Sequence, residues 1–121
     1  MNNKEFSREL EMRTRKFAVE IIKLSSSLPN TPEGKVVRNQ ITKSGSSIGA
    51  NYREANRARS NADFSNKISI SEGEANETVF WLEIIDDLEW VDKSILGSNL
   101  NEAKELLAIF TSISFKVKQK K

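Results

Sequence analysis

Two groups of residues in this sequence have the types and the spacing to do chemistry. Carboxylates recur at helical intervals around Glu83, Asp86, Asp87 and Glu89. Carboxylates paired across a helical turn hold hard cations or, when their pKa values are driven apart, act as acid and base. Helical bundles that hold two iron or manganese ions add Glu-x-x-His pairs to such carboxylates. This chain has no histidine and no cysteine. The commonest general base and metal ligand are therefore missing, as are thiolate sites and disulfides. The acidic run reads as a solvated helix face, and no metal, cofactor or catalytic residue is expected. The serine-glycine run from Ser44 to Gly49 is not a phosphate loop. No Lys-Ser or Lys-Thr follows it, and it falls inside a helical pattern.

The second group is cationic. Arg53 and Arg57 lie four apart, on one helical face, and Arg59 follows at the helix end. Guanidinium forks suit phosphate oxygens. Lys43 and Lys35 on the same segment, with Arg13, Arg15 and Lys16 further upstream, complete the candidate phosphate contacts. Such contacts position a protein on nucleic acid without reading its sequence. A plainer reading pairs these cations with neighbouring acids, each exposed pair contributing about 0–1 kcal/mol. Charge is unevenly distributed. Residues 34–59 carry six cations against one carboxylate, and residues 60–93 carry two against nine, within a net charge of +2. A nucleic-acid site here is a local patch rather than a property of the whole chain.

These residues must be positioned by helices, because no useful length of the chain alternates as a strand does. The spacing predicts α-helices over about 7–28, 32–58, 61–96 and 100–117. The first carries Leu10, Thr14, Phe17, Ile21, Leu24 and Leu28 on one stripe and ends before Pro29. The second opens at Thr31-Pro32, and its stripe runs through Val37, Ile41, Ser44, Ile48, Asn51 and Ala55. Ser60 caps the third, with Asp63 at the capping-box position. Its stripe is Phe64, Ile68, Ser71, Ala75, Thr78, Leu82 and Ile85, with Gly97 as the stop. The fourth uses Ala103, Leu106 or Leu107, Phe110, Ile113 and Val117, and the lysine-rich tail from Lys116 to Lys121 is expected to fray. Four amphipathic helices in 121 residues predict one domain, an all-α, antiparallel up-down-up-down four-helix bundle.

Two features exceed a simple bundle. Gly45 and Gly49 admit close approach of another helix, and Asn51 with Glu54 would fix register by bonding polar groups across the contact. The third helix also carries a second apolar stripe, Phe80, Ile84, Leu88, Val91 and Ile95. Phe80, Trp81, Ile84, Leu88 and Trp90 are read as a subunit interface, which makes the protein a homo-oligomer. No stretch is long and apolar enough for a membrane span, and the polar start is not a signal peptide, so a cytoplasmic location is expected and no membrane partner.

The segment SGSSIGANYREANRARSNADF at 44–64, followed by SEGEANETVFWLEII at 71–85, resembles the four-helix-bundle proteins encoded within intervening sequences of bacterial 23S rRNA genes. Relatives of that family are similar to the accessory proteins of diversity-generating retroelements. The matching positions are Ser47, Ile48, Asn51, Glu54, Ser60, Phe64, Glu77, Trp81, Leu82 and Glu83. The resemblance implies a homopentamer with no catalytic activity and a role in binding RNA or other nucleic acid. The expected function is thus a non-enzymatic, oligomeric bundle that binds RNA through a basic surface. The alternative is a protein-interaction scaffold using the acidic third helix or its apolar face.

Overall fold

The computed structural model describes residues 3–119. Among them the chain forms α1 (Asn3–Ser26), α2 (Pro32–Ala55), α3 (Asn61–Asp87) and α4 (Lys93–Gln119), with no strand. Helices adjacent in sequence pack against each other, and α1 meets α4 more sparsely to close the bundle. The short connections make neighbours antiparallel, as predicted. Polar caps set the starts. The Thr31 side chain accepts from the Gly34 N–H at 3.0 Å with Pro32 in the first turn, and the Ser60 side chain accepts from the Asp63 N–H at 3.0 Å.

The predicted stripes meet inside. Leu10, Phe17, Ile21, Leu24, Ile41, Ile48, Ile68, Leu82, Ile85, Leu106 and Phe110 are all buried. Three buried hydroxyls tie α2 to α3. Ser71 donates to the Ile48 carbonyl at 2.9 Å, and the Thr78 and Ser44 hydroxyls lie 2.9 Å apart. Buried polar groups that are all bonded fix one register at little cost.

The largest departure from expectation is the turn between the last two helices. The third helix stops at Asp87 rather than near 96, and the fourth starts at Lys93 rather than near 100. Glu89 adopts the left-handed conformation, with φ of 56°. The Trp90 N–H bonds the Ile85 carbonyl at 3.3 Å and the Glu89 N–H bonds the Asp86 carbonyl at 3.0 Å. That is the Schellman arrangement, usually marked by glycine. Trp90 packs on the core cluster beside it. Asp92 then caps α4, accepting from the Ser94 N–H at 2.8 Å. Hydrogen bonds from the Ser94 hydroxyl, and then from the Ser94 and Ile95 N–H groups, hold the Asp92 carboxyl below its ordinary range. Gly97 falls inside α4, and Val91 and Ile95 leave the second apolar stripe. The first helix starts earlier than expected and ends at Ser26, and the second ends at Ala55, three residues short of 58. Lys116 and Lys118 lie in ordered helix rather than a frayed tail, while Lys120 and Lys121 fall outside the described residues.

Candidate nucleic-acid interface

The eight candidate cations do not form one patch. The fold sends them to separate places. Arg53, Arg57 and Arg59 sit where α2 ends and turns into α3, and all three are exposed. Arg53 is only loosely held, its Nε 3.7 Å from Glu11 on α1. Arg57 and Arg59 have no ion pair among the described residues. The antiparallel topology brings the end of α4 to this same end of the bundle. Val117 lines a groove there with Asn61, Phe64 and Ser65 of α3. Lys116 and Lys118 therefore join the arginines, and both are exposed with no ion pair among the described residues. Sequence spacing alone did not link residues so far apart. The signal was present in the topology, because an even number of antiparallel helices returns the last terminus to the second turn.

Arg13 is committed elsewhere. It lies midway along α1 and bridges to α4, with Nε 2.6 Å from Glu102 Oε2 and Nη2 2.8 Å from both Glu102 Oε1 and Glu105 Oε1. Its hydrogen bonds to these two carboxylates raise its pKa above the ordinary arginine value, so it is a structural clamp with little left for a phosphate. Arg15 and Lys16 are exposed on the outer face of α1. Lys35 sits in the first turn of α2, at the end opposite Arg57. Lys43 lies near Glu74 of α3. Its charge eases the Glu74 carboxyl, which desolvation and then Glu77 push above the usual carboxylate range.

The residues expected to set register divide in the same way. A Cβ on Gly45 would lie 2.7 Å from Ile21 Cγ2, and one on Gly49 2.8 Å from Thr14 Oγ1 and 3.0 Å from Thr14 Cβ. Both glycines bring α2 hard against α1. Asn51 does not face the core. Its Nδ2 donates to the Ser47 carbonyl of its own helix at 2.9 Å, and Tyr52 takes the buried place, edge-on to Phe110 at 5.4 Å. The helix pitch puts 52, not 51, one turn after Ile48 on the inner face. Cross-helix register falls to Ser44, Ser71 and Thr78, while exposed Glu54 reaches Lys67 of α3 at 3.2 Å. Of the expected interface group, Phe80 and Leu88 are exposed. Ile84, Trp81 and Trp90 are half-buried, and the Trp81 indole donates to Glu77 at 3.1 Å.

No group of three or more Asp or Glu side chains that would hold a metal ion occurs among the described residues, and no helix is long and apolar enough to cross a membrane. The model for the 23S rRNA-intervening sequence protein family matches residues 8–112. The chain belongs to that family. A solved structure of a protein of unknown function from the S23 ribosomal protein family of Bacteroides thetaiotaomicron is similar, with 40% identity and a TM-score of 0.79. The match covers 86% of this chain and 96% of that one. No curated protein matches. The family match spans the glycine contact, the arginine turn and the acidic helix, so these features belong to the family domain rather than to an appended segment.

Proposed function

We propose that this member of the family is a cytoplasmic, non-enzymatic homo-oligomer, a pentamer by family resemblance, that binds structured RNA at the α2–α3 end of its bundle. The observation that carries the reading is the meeting of Arg57 and Arg59 with Lys116 and Lys118 at one end, exposed and without carboxylate partners among the described residues. Unpaired cations are the ones free to release counterions from a phosphate backbone. The family's tie to 23S rRNA intervening sequences makes structured RNA the ligand class to test first. Repetition of the patch on each subunit of an oligomer would multiply weak contacts into useful affinity. Arg53, Lys35, Lys43, Arg15 and Lys16 are secondary contacts in this reading, and Arg13 orders the bundle behind them.

The test is a salt titration of a labelled, structured RNA with the wild type and an Arg57→Glu/Arg59→Glu variant. Both residues are exposed in a loop, so the variant keeps its fold. The expected result is binding that weakens with salt, with a logarithmic slope reduced by about 2 in the variant if each arginine meets one phosphate. Absence of binding at low salt, or equal binding by the variant, overturns the reading. The protein-scaffold reading keeps one support, the exposed Phe80 and Leu88 on the acidic helix, and the charge reversal would leave that surface intact.

A further inference from the structure

The groove beside the arginine turn has a volume of about 630 Å³. Pockets that take a small organic group span about 300–1,000 Å³. Its walls are the first turns of α3 and the last turn of α4. Cations stand at both walls. Arg59 lies two residues before Asn61, and Lys116 and Lys118 lie on either side of Val117.

The wall offers both an aromatic surface and free polar groups. Phe64 packs on the core with part of its ring and lines the groove with another part. Asn61, Ser65 and Ser69 follow one another at four-residue spacing and form a polar row along α3, with Asn66 beside it. None of these four side chains makes a hydrogen bond among the described residues. Ser26, Ser46, Ser47 and Asn51, by contrast, bond carbonyls of their own helices. The amides and hydroxyls in the groove therefore keep their donors and acceptors for a ligand. No carboxylate among the described residues lines it. The helix pitch puts Asp63 on the other side of α3 from Ser65 and Ser69. The groove between α1 and α4 differs, for Glu20, Glu102 and Glu105 line it and would repel a phosphate chain.

An aromatic ring, amides that both donate and accept, and flanking cations are the set that recognises a nucleobase together with its phosphates. A base stacked in a duplex cannot present its face and its pairing edge to such a wall. We infer that the groove takes an unpaired RNA base, stacked on Phe64 with Asn61 and Asn66 at its edge, while Arg57, Arg59, Lys116 and Lys118 hold the neighbouring phosphates. The RNA bound is then a loop, bulge or single-stranded end rather than a plain duplex. An asparagine amide matches the N6 and N7 edge of adenine, which makes an adenine-rich loop the sharpest probe. The inference rests on the RNA reading above and narrows it to unpaired nucleotides.

The test compares two labelled RNAs, a hairpin with an adenine-rich loop and the fully paired duplex of its stem. Each is titrated with the wild type, Phe64→Leu, Asn61→Ala/Asn66→Ala and Arg57→Glu/Arg59→Glu. Leucine keeps an apolar side chain on the core and both asparagines are exposed, so circular dichroism should show unchanged helicity. The wild type should prefer the hairpin. Phe64→Leu should weaken hairpin binding by about 5- to 100-fold, as expected for one lost base–aromatic stack, and leave duplex binding unchanged. Its salt slope should stay at the wild-type value, because no phosphate contact is lost. The asparagine pair should weaken hairpin binding by about 3- to 10-fold. Equal wild-type affinity for the two RNAs overturns the inference, and so does a folded Phe64→Leu that binds the hairpin as the wild type does. If Phe64→Leu does not fold, the asparagine pair decides in the same way. In those cases a loss of both RNAs by the arginine variant leaves the phosphate reading standing. If neither RNA binds, or the arginine variant binds both as the wild type does, that reading fails and the inference falls with it.

Discussion

The α1–α2 seam and the far side of the molecule both place glycines inside helices, and they use them in opposite ways. Gly45 and Gly49 are pressed against Ile21 and Thr14, with no room for a methyl group. Gly73 on α3 and Gly97 on α4 have nothing within 4 Å of where a Cβ would stand. The first pair sets an interhelical distance. The second pair sets nothing inside the chain. The comparison shows that a glycine in a helical pattern reports a close contact only when the small residue lies on the inward stripe.

The largest effect expected from this contrast is at the seam. Gly49→Leu must displace Thr14, whose Cβ and backbone carbon lie 3.0 and 3.3 Å from the new Cβ. Overpacking of this kind costs about 1–3 kcal/mol, and sometimes more. A thermal melt should show a fall of roughly 5–15 °C. An unchanged melting temperature would mean that α2 stands further from α1 than the structure places it. Gly34→Ala belongs in the same class, because its Cβ would fall on the Pro29 carbonyl, a backbone group with little freedom to move. Gly97→Ala is the opposite control. It should raise stability by about 0.5–1 kcal/mol, since only the helix propensity changes. A loss at Gly97 would reveal a contact on the outer side of α4 and blur the distinction between the two regions.

Much of the fold could be read from spacing because it depends on periodicity. The inner stripes of α1 and α3 came out residue by residue, since each is a regular run of apolar and small polar side chains. The turn at 88–92 could not be read that way. Its stop is a left-handed Glu89 in place of glycine, and its start is an Asp92 cap inside a hydrophobic stretch, so the visible Gly97 looked like the better boundary. Asn51 was misplaced by one position, because the stripe was carried three residues on from Ile48 rather than four, and Tyr52 takes the inward place with its ring on Phe110. The candidate site was legible only in part. The arginine turn is local in sequence, but its partners Lys116 and Lys118 reach it through topology. The binding of Arg13 to Glu102 and Glu105 is a contact across some ninety residues that spacing along one helix does not encode.

The turn gives the next test in size. A non-glycine residue in the left-handed region costs about 1 kcal/mol. Glu89→Gly should recover most of that, shifting the melt upward by a few degrees. If the variant is no more stable, the left-handed residue is not what ends α3.

The smallest expected effect concerns charge between α2 and α3. Desolvation and the neighbouring Glu77 raise the Glu74 pKa, so the folded chain binds that proton more readily than the unfolded one. Stability is then lost as pH rises through the interval between the ordinary glutamate value and the raised one. Glu74→Gln removes the charge while its backbone carbonyl still accepts from Thr78 at 2.8 Å. The variant should match the wild type at pH values below the ordinary glutamate range and exceed it at neutral pH. Glu77→Gln should narrow the interval by removing the like charge, leaving the part due to burial. Equal pH profiles for wild type and Glu74→Gln would mean that Lys43 fully offsets the desolvation. The α2–α3 contact would then be as well paired in charge as the α1–α2 seam is in shape.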